Sequence, residues 1–321
     1  MNFIKVLLAF CIVFNSACIA QNISGIIKDK ITDKAIPYVN IGIPAKAFGI
    51  VGSEQGSFTL KITTEKDSDI VQISSIGYEP LYLTVKQLKT NCENNLPFYL
   101  KETVYELATT TVRPNDYETT TLGAKKIDDL ECFVMDKILS KDTAYQRTAK
   151  EKGISEKAIG VEFGNKIKID KGQKTFIDKI YFKTCPGPKD TCIYRLNIYT
   201  EGKTLERKFT PIGVIKIINS NNILKEPIII KAIGKTEVHE IDLSKQNIEV
   251  NDDFMIAFEC IYASNDQMSI GADASVFGST DLLIRPSIMG EWVKIPLMDL
   301  TFISASVTYK KRPGFWSRLF N

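Results

Sequence analysis

From Ile23 onward, apolar side chains recur at every second position in short runs, and turn residues interrupt them at roughly eight to twelve positions. That two-residue period marks half-buried strands. Within 36–43, Val39, Ile41 and Ile43 alternate with Tyr38, Asn40 and Gly42, and Pro37 stands at the start, where its missing N–H does least damage. The runs 23–28, 36–43, 57–60, 69–76, 81–85, 96–100 and 104–112 predict about seven strands, enough for a β-sandwich. Residues 49–56 read as a polar tip in which a glycine takes a positive φ, and no helix is expected before Leu100.

The alternation resumes after Gly153. Strands are predicted over 159–163, 176–183, 194–199, 228–233, 237–243, 254–262, 281–284, 291–295 and 303–309. In 254–262, Ile256, Phe258, Cys260 and Tyr262 share one face and Met255, Ala257, Glu259 and Ile261 the other, so this strand is apolar on nearly both faces and belongs at a sheet centre. A series of this kind suits a jelly roll, two packed sheets whose mouth is often a ligand site. Between the two series, 113–121 is polar and carries Pro114. Ile127, Leu130, Val134 and Ile138 then fall at helical spacing, which predicts a short amphipathic helix in the linker.

The first residues decide which part of the chain must fold. One lysine within 1–5, an apolar run over 6–14 and small residues before Gln21 read as a signal peptide cleaved after Ala20. Cys18 raises the alternative of a lipidated N-terminus, although Asn15 stands where such signals usually carry an aliphatic residue. The expected organisation is a signal peptide 1–20, a sandwich 21–112, a linker with a short helix 113–153, a jelly roll 154–311 and a tail 312–321. The fold class is all-β, and the expected location is the periplasm or outer cell surface.

Composition removes several functions. A net charge of +3 and the lack of a basic stripe interleaved with aromatics argue against nucleic acid. The basic segment Lys310, Lys311 and Arg312, followed by Phe315, Trp316, Arg318 and Phe320, reads as a frayed terminus or as a peripheral membrane contact. Outside the leader stand Cys92, Cys132, Cys185, Cys192 and Cys260, an odd number, so at least one thiol is free or intermolecular. Cys185 and Cys192 flank a turn-rich loop between two predicted strands, which predicts a hairpin closed by a Cys185–Cys192 disulfide. Zinc spacing is absent.

Four ordered motifs carry a resemblance. Ile23-Ser24-Gly25-Ile26-Ile27-Lys28-Asp29, Ile36-Pro37-Tyr38-Val39-Asn40-Ile41, Gly49-Ile50-Val51-Gly52-Ser53-Glu54-Gln55-Gly56-Ser57-Phe58 and Ile73-Ser74-Ser75-Ile76-Gly77-Tyr78-Glu79 resemble the carboxypeptidase-regulatory-like domain. The resemblance implies a transthyretin-like Greek-key sandwich of seven strands, of the kind found in outer-membrane receptors and secreted proteins of Gram-negative bacteria, and it implies no catalysis. Gly52-Ser53-Glu54 departs from the Thr-Ser-Asp-like triplet frequent in relatives, which touches only the turn. Segments 180–182, 240–244 and 254–259 resemble, more loosely, a jelly-roll domain that follows the regulatory-like domain in envelope proteins.

The chain has one histidine, so a zinc carboxypeptidase, which needs two histidines and a glutamate as ligands, cannot be assembled. His239 shares a strand face with Ile241 and Leu243 and reads as a half-buried structural residue. No nucleophile elbow, P-loop or dinucleotide fingerprint accompanies it, and neither cofactor nor metal is implied. Asp266 and Asp273 lie in the 264–274 connection, where a calcium site would use them, without EF-hand spacing. With Trp292 and Tyr262 they make up the expected ligand surface, and ordinary core is the competing reading of Trp292. The function expected is a non-catalytic binding or scaffolding module for a surface polymer, a glycan or an envelope protein. The alternative is a carboxylate-based glycan hydrolase or an accessory subunit of a glycan-uptake system. Paired carboxylates about 5 to 10 Å apart in a cleft would favour the hydrolase.

Overall fold

The computed structural model describes residues 21–63, 65–103, 117–134, 159–210, 213–265, 267–275, 282–285, 287–294 and 299–310. The first unit contains β1 (Gln21–Asp29), β2 (Asn40–Ile43), β3 (Phe48–Val51), β4 (Ser57–Ile62), β5 (Ile70–Ser74), β6 (Leu81–Thr84), helix α1 (Val85–Glu93) and β7 (Phe98–Leu100). Its strands form two sheets, ordered β4-β1-β7 and β3-β2-β5-β6. Ile23, Ile27, Ile41, Leu60, Ile73 and Leu100 meet in its core, as the alternating pattern requires.

Two expectations for this unit are corrected. Segment 49–56 is not all turn, because its first residues belong to β3, antiparallel to β2, and Gly56 supplies the positive φ of 73°. A helix does precede Leu100. Thr84 caps it: its Oγ1 accepts from Gln87 N at 3.2 Å while Gln87 Oε1 accepts from Thr84 N at 2.8 Å. Val85 and Leu88 are buried, so the helical face replaces the end of the expected 81–85 strand. The predicted strand 104–112 lies outside the described residues.

The second unit contains β8 (Tyr117–Gly123), β9 (Glu131–Val134), β10 (Glu162–Ile167), β11 (Thr175–Thr184), β12 (Thr191–Thr210), β13 (Gly213–Asn222), β14 (Ile228–Ile233), β15 (Glu237–Asp242) and β16 (Ile248–Val250). It continues through β17 (Phe254–Ala263), β18 (Ser269–Ser275), β19 (Leu282–Arg285), β20 (Trp292–Lys294), β21 (Asp299–Thr301) and β22 (Ile303–Lys310). A seven-stranded sheet, β13-β20-β19-β10-β17-β12-β14, faces an eight-stranded one built around β21-β18-β11-β22-β8. Phe182 of β11 stacks on Phe258 of β17 with ring centroids 3.7 Å apart, which joins the sheets at their centre. β17 is central, flanked by β10 and β12.

Within the expected linker, residues 117–134 are described, and both of their strands pair with strands of this second unit. β8 pairs with β22 from Tyr117 opposite Lys310 to Gly123 opposite Ser304. Thr119 bonds across the strands, its hydroxyl 2.9 Å from that of Thr308. A polar strand at a sheet border looks like a loop in sequence. The predicted helix over 127–138 is likewise overturned in its described part, because Glu131–Val134 pairs with β18.

The Cys185–Cys192 bridge is corrected as well. β11 and β12 belong to different sheets, so the chain between them crosses the sandwich edge instead of turning a hairpin. Cys185 bonds to Cys132 of β9, with Cα atoms 5.9 Å apart. Cys192 is a buried free thiol between the sheets and donates to Gln267 O at 3.5 Å. Cys92 and Cys260 form no disulfide either.

Candidate functional site at the seam of the two sandwiches

The outward face of the β2–β3 hairpin rests on the outer face of the seven-stranded sheet. Glycines make that approach close. A Cβ built on Gly42 would lie 2.3 Å from Phe48 O and 2.6 Å from Met289 Cγ, and one on Gly49 would lie 2.9 Å from both Met289 Cγ and Ser287 Oγ. Further along the seam, a Cβ on Gly77 would lie 2.9 Å from Lys225 O, and Ile76 packs partly on the core of the second unit. The family-like motifs 49–58 and 73–79 therefore face the second sandwich.

Beneath the seam runs a row of charges. Register places Arg285 of β19 opposite Glu162 of β10, Glu162 opposite Glu259 of β17, and Glu259 opposite Arg195 of β12. The row reads plus, minus, minus, plus across four neighbouring strands, and all four side chains are buried. Arg195 Nε and Nη2 donate to Glu259 Oε2 at 2.9 and 2.7 Å. Arg285 Nε donates to Glu162 Oε2 at 2.9 Å, and its Nη2 donates to the same oxygen. Glu162 Oε1 also accepts from Asn197 Nδ2 at 2.6 Å and from the Tyr199 hydroxyl at 2.9 Å. Burial raises the pKa of the Glu259 carboxyl, Arg195 opposes the rise and Glu162 adds to it. Burial also raises the Tyr199 hydroxyl well above its ordinary range.

Arg195 then reaches across the seam. Its Nη1 donates to Tyr38 O and its Nη2 to Asn40 Oδ1, both at 2.7 Å. Tyr38 holds a left-handed φ of 54°, a sparsely populated conformation for a bulky residue that the surroundings must enforce. A buried ionic row adds little net stability over apolar packing, yet any mispositioned member leaves a charge unpaired, so it fixes geometry.

Beside this contact the seam opens into a groove of about 860 Å³. Its floor is Ile193, Ile261 and Tyr262 of the second unit, Lys231 and Ile233 of β14 stand at its rim, and β3 and β4 form the opposite wall. Ile233 is 56% and Tyr262 44% exposed, large for apolar side chains beside buried Ile193 and Ile261. The carboxylate lining it is Glu54.

Of the residues expected at a ligand surface, Tyr262 alone lies here. Trp292 is 1% exposed, its ring edge-on to Tyr199 and under the Arg285 guanidinium, with Nε1 donating to Ser220 Oγ at 2.9 Å. It is therefore core and offers no platform. Asp273 is exposed on β18 opposite Thr301, on a strand rather than in a loop. Asp266 lies outside the described residues. Among the described residues, no group of three His, Cys, Asp or Glu could hold a metal ion. His239 is half-buried, its Nε2 2.8 Å from Thr184 Oγ1, and burial lowers its pKa. Arg195, Glu162, Arg285 and Ile233 were missed. A usable signal was a lone charge inside an apolar strand, as in Tyr194-Arg195-Leu196 and Phe258-Glu259-Cys260, because such a charge requires an opposite one on a neighbouring strand.

Fold and site together define an all-β protein of two sandwiches joined through a buried arginine and sharing a surface groove. Residues 23–112 match the family model of the CarboxypepD_reg-like domain, so the first sandwich is a domain of this non-catalytic regulatory kind. No curated protein matches the chain. Among solved structures, a protein of unknown function from Bacteroides fragilis NCTC 9343 is 11% identical over 91% of this chain and 98% of its own, with a TM-score of 0.19. The structure of infectious bursal disease virus Gx strain is 9% identical over 94% of this chain and 67% of its own, with a TM-score of 0.23. At these scores neither likeness carries a statement about fold or function.

Proposed function

We propose that this chain is an exported, non-catalytic binding module of the cell envelope, and that its ligand occupies the seam groove. One observation carries the reading: the groove presents exposed Ile233 and Tyr262 beside buried Ile193 and Ile261 while its lining includes a single carboxylate, Glu54. Glu162 and Glu259 lie on adjacent strands but are buried and tied to arginines. Hydrolysis by paired acids needs both within reach of substrate and water. The Cys132–Cys185 disulfide supports an oxidising compartment. No helix among the described residues is long and apolar enough to cross a membrane.

The test is a screen of soluble envelope polysaccharides and blocked peptides against the full chain, with turnover followed in parallel. Binding that falls at least tenfold in Ile233→Asp and Tyr262→Ala, at unchanged melting temperature and without product, supports the reading. Product formation, or binding indifferent to both substitutions, overturns it.

A further inference from the structure

Resting on that reading of the groove, we infer that its ligand is an extended polypeptide segment that adds to the free edge of β3 as an extra strand.

The first ground is how β3 meets the groove. All four of its residues, Phe48, Gly49, Ile50 and Val51, line it. A strand turned face-on would present alternate residues only, because successive side chains point to opposite sides. Lining by consecutive residues fits a strand that turns its edge to the space. β3 is the terminal strand of its sheet, so that edge has no strand partner.

The second ground is the hydrogen-bond phase. Gly52 N donates to Val39 O at 2.7 Å, which makes Val39 and Gly52 a bonded pair of the antiparallel ladder. Bonded pairs recur every second residue, so Ile41 with Ile50 and Ile43 with Phe48 are bonded too. Gly49 and Val51 then direct their N–H and C=O groups away from β2, out of the sheet edge. Two donors and two acceptors at the spacing of a strand match a peptide backbone in extended form. A glycan offers no such repeating donor–acceptor ladder.

The third ground is the surroundings. A strand laid along β3 would direct alternate side chains onto Ile193, Ile261 and Tyr262 and toward Ile233. Lys231, at the same rim, makes no ion pair among the described residues, which suits an acidic residue on the peptide. The proposed ligand is therefore a segment that alternates apolar with polar residues and carries a carboxylate.

The probe is a blocked seven-residue peptide alternating valine with threonine and glutamate, titrated by fluorescence anisotropy into the full chain. Two derivatives are N-methylated on one or the other alternate set of amides. Strand addition predicts that one derivative loses at least tenfold in affinity and the other little, because only one set faces β3. Val51→Pro, which removes an outward N–H and spares the β2 ladder, should weaken the parent peptide similarly, and Ile233→Asp should too. Equal effects of both methylated sets on the wild-type chain would overturn the inference, whether or not Val51→Pro folds. Binding of a polysaccharide that responds to Tyr262→Ala, with no peptide binding, overturns strand addition and leaves the groove as a ligand site. Binding of neither overturns both.

Discussion

The guanidinium of Arg195 donates to the main-chain oxygen of Tyr38 at 2.7 Å although 157 residues separate them. One side chain thereby belongs to two structures: it neutralises Glu259 inside the second sandwich and holds the β2 entry of the first. Arg195→Met should destabilise the chain by about 3–5 kcal/mol in chemical denaturation, because Glu259 is left buried and unpaired. The double variant with Glu259→Met should recover a large part of that loss. A double variant that adds the two single losses in full would show that the pair is not coupled.

The glycine pair at the seam makes a second prediction. Gly42→Ala places a methyl 2.3 Å from Phe48 O and 2.6 Å from Met289 Cγ. The backbone oxygen cannot yield as a flexible side chain could, so a loss of about 1–3 kcal/mol is expected. Gly49→Ala combined with Met289→Ala should be milder than Gly49→Ala alone, since Met289 Cγ is one of the two atoms nearest the added carbon. Unfolding curves of the three variants check this.

Legibility followed the physics of each element. The first sandwich was readable because its strands alternate cleanly and its core residues, such as Ile41 and Ile73, sit on the expected faces. The strand Phe254–Ala263 was readable as central because it is apolar on both sides. The border strand β8 was hidden by its threonines, and α1 by a short cap-and-face pattern inside a β context. Tyr262, expected at a ligand surface for its aromatic ring, lines the groove. Trp292 was chosen on the same argument and lies in the core, because what covers a face is decided by distant residues. Arg195 and Glu162 are easily misread for a related reason, since a charge in a strand ordinarily marks a solvated face.

The disulfide makes a third prediction. Mapping of non-reduced peptides should join the segments carrying Cys132 and Cys185 and find Cys192 free. The two cysteines are 53 residues apart, a loop for which closure entropy corresponds to about 4 kcal/mol. Reduction or Cys132→Ser should therefore lower the melting temperature, while Cys192→Ser should act only through core packing. Recovery of a Cys185–Cys192 peptide would refute the crossing of β11 and β12 between sheets.

His239 makes a pH prediction. Burial lowers its pKa in the folded chain, so the unfolded chain binds the proton first as pH falls. Its contribution to stability is complete above the unfolded value of about 6.5 and declines as pH drops from there through the folded pKa. His239→Gln should flatten stability against pH in that window and leave ligand binding in the groove unchanged. An unaltered slope in the variant would contradict the assignment.

If the seam is fixed by Arg195, the two walls of the groove are held at one separation. Spin labels on Thr59→Cys and Lys231→Cys, one on each wall, placed in a Cys92→Ser background, measure that separation by pulsed electron resonance. A single narrow distance distribution that broadens when Arg195→Met is added is the predicted result. A distribution already broad with Arg195 intact, and unchanged by its removal, would contradict the joined seam and with it the groove as a built site.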